Sequence, residues 1–287
     1  MLKNTFCHIP GVGHKSEKRL WEHGVTSWES SLENQLEPNA RYSKESFTEC
    51  ITESMERLAE GEATYFSRLL PPREQWRLFP EFRSSTAYLD IETNGFVGPR
   101  GYITAISVYD GTEVFTYARG KNLDDFKRDI KKYRVVVTYN GKCFDIPFIE
   151  SYMGVDMRHM AHIDLRFILR DLGFTGGLKG CEKTLGIDRG ELNGVDGYTA
   201  VLLWNDFKKN RNEKALETLL AYNILDVVNL EPLAVIAYNR KLGETPFEAS
   251  HTLSAPAAPK VLPFKPDIKT VERILYQQNR YFTEAFS

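Results

Sequence analysis

The stretch AYLDIETNG, residues 87–95, decides the fold, because it predicts a short β-strand that runs into an Asn-Gly turn. Side chains alternate between the two faces of a strand, so Leu89 and Ile91 point to one face while Asp90 and Glu92 share the other. The pattern therefore places two like charges side by side on a rigid and largely apolar element. Such a pair needs a compensating positive charge.

The residues around this stretch predict an α/β fold in which helices cover a mixed sheet. Asp110-Gly111 is typical of a hairpin turn, so the first three strands should form an antiparallel meander. The run of valines in RVVVTYN suits a strand that is buried on both faces. We expect strands at 85–91, 102–109, 113–118 and 134–140, a further strand in HIDLRFIL (162–169), and helices at 122–133, at 146–153 and through most of the second half.

The composition is that of an ordinary globular protein, with 42% hydrophobic and 26% charged residues among 287. A net charge of −2 gives no global basic field, so any polyanion must be held by local patches or by bound cations. We find no apolar run of signal-peptide or membrane-span length and expect a cytoplasmic protein without a membrane partner. The four cysteines are far apart and are expected to be reduced.

Three regions are expected along the chain. Residues 1–83 form a helical region with a helix-hairpin-helix-like turn at IPGVG and a capping box at Thr26 and Glu29. Residues 84–240 form the α/β domain. Residues 241–287 contain a Pro-rich segment, predicted to be an extended linker, and a C-terminal helix that docks on the body or on a partner.

Further acids join the pair on the first strand. Asn140 and Asp145 follow the buried strand RVVVTYN, at the strand end where functional residues of α/β sheets collect. Tyr222 and Asp226 are four residues apart on one face of a predicted helix, which Pro232 should end or kink. Each signal alone has a plain structural reading, as a strand end, a turn or cap residue, or a helix-surface pair.

The local sequences offer these acids no well-placed Lys or Arg, so ion pairing would need remote partners. A hard divalent cation would supply the missing charge, and ligand sets of oxygen atoms suit Mg²⁺ or Mn²⁺. Four carboxylates suffice for two ions, an arrangement that supports phosphodiester hydrolysis. The set consists of Asp90, Glu92, Asp145 and Asp226.

The three motifs LDIET, NGKCFD and YNILD resemble those of the DEDD exonucleases, which belong to the ribonuclease H-like superfamily. The Tyr-x-x-x-Asp form of the third motif is similar to the tyrosine branch (DEDDy), near the proofreading domains of B-family DNA polymerases. The N-terminal segment and GLKGCEKTLGIDR at 177–189 also resemble YprB-type ribonuclease H-like proteins. The resemblance implies a ribonuclease H-like sheet, with three antiparallel strands followed by parallel strands.

The resemblance also implies roles for individual residues. The four acids would bind two Mg²⁺ or Mn²⁺ ions, and Tyr222 would orient the attacking water because a phenol is mostly protonated at neutral pH. Nucleic-acid contacts are expected, with turn, core or solvated-lysine readings left open, at Thr93, Asn140, Phe144 and Lys179, and through the hairpin amides of Gly11 and Gly13.

The sequence thus predicts a two-metal 3′-5′ exonuclease that acts on single-stranded nucleic acid with a free 3′ end, with DNA favoured over RNA. An endonuclease remains an alternative, since polarity and end preference come from the resemblance alone. Two further alternatives are a catalytically inactive ribonuclease H-like binding module and a nucleic-acid tether for a helicase or polymerase. Asp164 lies near a strand end, and we expect it to cap a helix or pair with His162 or Arg166.

Overall fold

A computed structural model describes residues 1–33 and 43–285 of the chain. Its strands are β1 (Thr86–Thr93), β2 (Ile103–Tyr109), β3 (Val114–Ala118), β4 (Val135–Thr138) and β5 (Ala161–Asp164). Its α-helices are α1 (His14–Glu22), α2 (Trp28–Glu33), α3 (Lys44–Ala59), α4 (Ala63–Leu69), α5 (Phe79–Phe82), α6 (Phe126–Asp129), α7 (Asp145–Met153), α8 (Leu165–Asp171), α9 (Gly177–Thr184), α10 (Gly197–Asn210), α11 (Glu213–Leu242), α12 (Glu248–His251) and α13 (Ile268–Ala285).

The five strands form one mixed sheet in the order β3-β2-β1-β4-β5. β1, β2 and β3 pair antiparallel through consecutive turns, and the predicted Asp110-Gly111 hairpin is present between β2 and β3. β4 pairs parallel to β1 and β5 pairs parallel to β4. This topology confirms the predicted α/β fold, with three antiparallel strands followed by parallel strands.

The alternation in β1 separates an apolar face from an acidic one, as predicted. Leu89 and Ile91 are buried in the hydrophobic cluster between the sheet and α7, whereas Asp90 and Glu92 point to the other face. The long helix α11 crosses that other face and packs on both β1 and β2. One layer therefore anchors the strand, and the opposite layer carries the acids.

The N-terminal region shares a hydrophobic cluster with the sheet and α11. Trp76 and Phe79 contact the ring of Tyr238 on α11, with ring centroids 5.5 and 6.4 Å apart. Phe47 and Ile51 of α3 are also buried in this cluster. The start of β1 at Thr86 lies close to the predicted boundary at residue 83, but the core continues across it.

The capping box before α2 uses other residues than expected. Ser27 and Ser30 exchange side-chain to backbone hydrogen bonds of 3.1 and 2.9 Å, and α2 begins at Trp28. The prediction of Thr26 and Glu29 was wrong by one residue at each position. Both pairs of residues have the spacing of a capping box, and Ser competes well with Thr as a capping residue, so the sequence alone fits either pair.

Two expected elements are shorter than predicted. HIDLRFIL is a strand only as far as Asp164, whose side chain accepts the Arg166 N–H and begins α8. Residues 122–133 form short α- and 3₁₀-helical turns rather than one helix. In that segment Phe126 and Ile130 are fully buried, so packing decides the conformation there.

Helix α11 continues through Pro232 to Leu242, so this proline does not end the helix, which was one of the two outcomes expected. A proline inside a helix costs one hydrogen bond, but buried residues before and after it fix both halves of α11 in the core.

Helix α11 is also long and apolar enough to cross a membrane, contrary to expectation, although 78% of its most apolar 18-residue window is buried inside the protein. That degree of burial is typical of the core helix of a folded domain.

The segment from residue 241 is not a simple extended linker. Phe247 is buried against the edge of the Trp21 ring, and the Leu253 N–H donates to Asn239 on α11. Only from residue 252 does regular structure stop until α13. Val271 and Ile274 of α13 are buried in the cluster between α10 and α11, so this helix docks on the body of the protein, one of the two outcomes expected.

Candidate active site

The three motifs meet in one cleft of about 460 Å³ at the C-terminal end of β1, the central strand of the sheet. Carboxylate oxygens of Asp90, Glu92 and Asp226 lie within 4.8 Å of one another. Asp145 and Tyr222 line the same cleft. The fold thus brings all five residues predicted for catalysis into a single site.

β1 holds its two acids through the sheet. Asp90 pairs with Ser107 and Glu92 with Ala105 of the antiparallel neighbour β2. The register shifts between Glu92 and Thr93, and such irregularities bend a strand and redirect its side chains. The bend places Thr93 on the rim of the cleft beside the acids.

Asp145 is the first residue of α7, which follows β4 after a short turn. Its Oδ1 accepts the Ile91 N–H at 3.0 Å, so the carboxylate is tied to the backbone of β1 between the two strand acids. Asp145 is 3% exposed. Its position is set by the strand order, which makes β1 and β4 direct neighbours.

Tyr222 and Asp226 lie one turn apart on α11, as the sequence predicts. The apolar arc of α11 packs beneath them, and both side chains are at most 5% exposed. Within the described residues we find no hydrogen-bond partner for the Tyr222 hydroxyl. That hydroxyl is therefore available to a molecule in the cleft.

The electrostatics of the cleft favour uptake of positive charge. Burial and the neighbouring carboxylates raise the pKa of Asp90 and the pKa of Glu92 well above their usual ranges. Burial likewise raises the pKa of Asp145 to about 7, although the Ile91 N–H opposes the shift. Each carboxylate is thus poorly stabilised as an anion unless a cation or a proton joins it.

A remote arginine, which the sequence analysis did not identify, supplies part of that charge. Arg189 donates to Asp226 Oδ1 at 2.5 Å through one nitrogen and to both oxygens of Glu182 at 2.8 and 2.9 Å through the other. Asn229 also donates to Glu182 at 2.7 Å. Burial nevertheless leaves the pKa of Asp226 raised, against the effect of Arg189.

The signal for this pair was present in the segment GLKGCEKTLGIDR, which contains both Glu182 and Arg189. Glu182 lies on α9, which ends at Thr184, and Arg189 lies beyond the end of that helix, so helical spacing does not relate the two residues. Nothing in the sequence alone states that either side chain faces α11. Tertiary packing decides the partner.

Two more side chains reach the acids. Asn223 donates to Asp90 Oδ2 at 2.7 Å and is fully buried, another contact that was not predicted. Lys179 lies 4.9 Å from the centre of the Tyr222 ring and donates to the Val195 carbonyl. Lys179 is half-buried at the cleft rim, so it is not simply solvated.

The loop after β4 forms another wall of the cleft. Asn140 has a φ of 70°, and its N–H donates to Asp164 Oδ1 at 2.8 Å, while Lys142 N–H donates to the other oxygen at 3.0 Å. Asp164 thus caps α8 and fixes this loop, which confirms the expected capping role. At Gly141 an added Cβ would lie 2.3 Å from the Thr138 hydroxyl, so only glycine fits there.

The structure places the predicted nucleic-acid contacts in two regions. Thr93, Asn140, Phe144 and Lys179 all line the acidic cleft. Gly11 and Gly13 lie in the N-terminal turn before α1 and are not among the residues that line the cleft. Gly11 has a φ of 85° and is exposed in this turn.

The donor set in the cleft fits a hard divalent cation. All the candidate ligands are carboxylates, the preferred ligands of Mg²⁺ and Mn²⁺. Among the described residues none donates a hydrogen bond to the Glu92 carboxylate, although it is only 8% exposed. Burial of an anion without a hydrogen-bond donor is costly, and a bound cation would offset that cost.

The family match of the sequence agrees with the observed fold. The sequence matches the family RNase_H_2, of the RNase H superfamily, over residues 87–238, more than half of the chain. No curated protein matches it. Among solved structures, the chain is similar to the family B DNA polymerase from the hyperthermophilic archaeon Pyrobaculum calidifontis, with 19% sequence identity and a TM-score of 0.40. The match covers 55% of this chain and 24% of the polymerase.

Proposed function

The chain belongs to the RNase H superfamily, and we propose that it is a two-metal-dependent 3′-5′ exonuclease of the tyrosine branch of DEDD enzymes, similar to YprB-type proteins. The substrate is single-stranded nucleic acid with a free 3′ end, with DNA favoured. The cofactors are two Mg²⁺ or Mn²⁺ ions. The observation that carries the proposal is the meeting of three carboxylates within 4.8 Å, of which those of Glu92 and Asp226 are buried and that of Asp90 is half-buried.

Asp90, Glu92 and Asp226 would hold the cations, and Asp145 completes the set from the first turn of α7. When bound, the cations offset the negative charge that develops on the phosphate oxygens during hydrolysis. The hydrogen bond from Ile91 and the one from Asn223 fix Asp145 and Asp90 in place, so the ligands are oriented before the cations arrive.

Tyr222 acts as a hydrogen-bond donor to the attacking water. Burial and the surrounding carboxylates raise the pKa of its hydroxyl, so the proton stays on the phenol at neutral pH. The group therefore orients water rather than deprotonating it. Lys179, held over the Tyr222 ring, carries a positive charge to the side of the cleft where a phosphate would enter.

The test uses a 5′-labelled single-stranded DNA and the equivalent RNA with Mn²⁺. We expect a ladder that shortens from the 3′ end, that EDTA abolishes, and that Glu92→Gln abolishes as well. Glu92 suits the test because its carboxylate has no hydrogen-bond donor among the described residues, so its removal should leave the fold intact. The polymer that is degraded faster, DNA or RNA, is the preferred substrate.

The matched control is Glu60→Gln, since the Glu60 side chain is 61% exposed and lies outside the cleft. This variant should degrade the DNA at the wild-type rate. Equal activity of wild type and Glu92→Gln would refute the proposal. Binding of the DNA by wild type without cleavage would favour an inactive binding module instead.

A further inference from the structure

A row of aromatic rings leads away from the acidic cleft along α7. Phe144 lines the cleft, and Phe148 and Tyr152 follow it at intervals of four residues on the same face. The ring centroids are 5.7 Å apart for the first pair and 6.3 Å apart for the second. Phe144 is 39% exposed and Tyr152 is 37% exposed. We call Phe144, Phe148 and Tyr152 the α7 ladder.

A backbone segment supports the ladder from one side. An added Cβ on Gly101 would lie 3.1 Å from the tip of the Phe148 ring and 2.6 Å from the Phe96 carbonyl oxygen. The middle ring therefore rests directly on the chain before β2. Phe96, in the same segment, is 51% exposed. The apolar surface beside the cleft is thus larger than the three rings alone.

Two arginines lie against aromatic rings in the ladder and beside it. The Arg119 guanidinium lies 4.3 Å from the centre of the Tyr102 ring and 5.7 Å from that of Tyr152, whose hydroxyl accepts its hydrogen bond. The Arg100 guanidinium lies 5.0 Å from the centre of the Phe96 ring. Within residues 1–33 and 43–285, neither arginine has a carboxylate partner.

Exposed rings beside unpaired arginines match the chemistry of a single strand. Bases stack on aromatic rings whatever their sequence, and guanidinium groups bind phosphates. From Phe144 to Tyr152 the helix rises about 12 Å, the length of three to four stacked nucleotides at roughly 3.4 Å each. A protein partner would be expected to need acidic groups for these arginines as well as an apolar face.

We propose that the α7 ladder binds the part of a single-stranded nucleic acid that lies 5′ of the terminal nucleotide. Bases stack on Phe148 and Tyr152, and a phosphate contacts Arg119. The inference rests on the proposed function, because the terminal nucleotide must occupy the acidic cleft for the strand to continue along α7. The ladder thus determines how strongly the enzyme prefers a long strand to a short one.

The test measures binding of 5′-fluorescein-labelled dT3, dT8 and rU8 by fluorescence anisotropy in EDTA, where no cleavage is expected. Tyr152→Ala should weaken the binding of dT8 by roughly tenfold, the effect of losing one stacked base, and leave dT3 unchanged. Tyr152→Phe should retain most of the affinity, because the ring remains. Arg119→Ala should reduce the slope of log K against log salt by about 0.7, the value for one phosphate of a single strand.

Tyr276→Ala is the matched control, since Tyr276 is 70% exposed on α13 and lies outside the cleft and the ladder. It should bind all three oligonucleotides as wild type does. Equal losses for dT8 and rU8 would assign the ladder to both polymers, and a loss confined to one would identify the preferred polymer. Unchanged binding of both by Tyr152→Ala and Arg119→Ala, or no binding by wild type, would overturn the inference.

The outcome separates this inference from the proposed function. Weakened binding of dT8 in a protein that cleaves no substrate would support the ladder and refute the exonuclease. Normal cleavage of dT8 by both variants, together with unchanged binding, would refute the ladder and leave the exonuclease in place.

Discussion

Replacement of Arg189 by Gln tests whether the acidic site is stabilised by an internal cation. The change removes the guanidinium that joins Asp226 to Glu182, and all three side chains are buried. Loss of one partner from a buried ion pair costs about 3–5 kcal/mol, because the remaining charge has no compensation. For a chain of this size, about 2–4 °C of melting temperature corresponds to each kcal/mol, so we expect a fall of roughly 6–20 °C in EDTA.

The measurement is thermal unfolding followed by circular dichroism, first in EDTA and then with Mn²⁺. Mn²⁺ should raise the melting temperature of the variant more than that of wild type, because Asp226 has lost its competing cation. A second change, Glu182→Gln in the same chain, should recover part of the loss in EDTA, since it removes one of the two acids left unpaired. Asn229, which donates to Glu182, can hydrogen-bond the new amide as well.

Arg83→Gln provides the matched control. Arg83 pairs with Glu231 at 2.7 Å on the far part of α11, and its side chain is 31% exposed. Loss of Arg83 should lower the melting temperature less than loss of Arg189 does. Mn²⁺ should raise the melting temperature of Arg83→Gln no more than it raises that of wild type. A fall below 2 °C for Arg189→Gln, or a further fall on adding Glu182→Gln, would refute the reasoning about a buried charge network.

Two further predictions follow from the carboxylates. The pKa of Glu92 is higher in the folded protein than in the unfolded chain, where it is about 4.3. As the pH rises from that value towards the folded-state pKa, Glu92 ionises more readily in the unfolded chain, which destabilises the metal-free folded protein. The melting temperature of Glu92→Gln relative to wild type in EDTA should therefore increase between pH 4 and pH 8, and a constant difference would contradict this. Asn223→Ala removes the hydrogen bond to Asp90, so Mn²⁺ affinity, measured by electron paramagnetic resonance, should fall roughly 10- to 100-fold. Asn193→Ala, at an exposed position, should leave that affinity unchanged.

The sequence predicts the sheet and the acids because their patterns are local. Alternation in AYLDIETNG assigns Asp90 and Glu92 to one face without knowledge of the rest of the chain, and the spacing of Tyr222 and Asp226 does the same on α11. The hairpin at Asp110-Gly111 depends on the turn residues alone. These features need no distant partner to be recognised.

The contacts that the sequence did not reveal depend on distant partners. Arg189 reaches Asp226 only because α9 packs beside α11, and Asn223 reaches Asp90 across 133 positions of the chain. Pro232 does not end α11 for the same reason, because its local cost is outweighed by burial of the helix on both sides. Local sequence patterns predict the candidate metal ligands, whereas tertiary packing determines which side chains hydrogen-bond to them.

The placement of the acids on β1 and α11 also has a consequence for synthesis of the protein. Asp90 lies early in the domain and Asp226 lies near its end, so a ribosome-bound chain has the first acids long before the last one emerges. All five strands emerge beforehand, but the cleft lacks one wall until α11 docks on β1 and β2. Translation therefore delays assembly of the site until nearly the whole domain has been made, and truncated products that lack α11 carry an incomplete site.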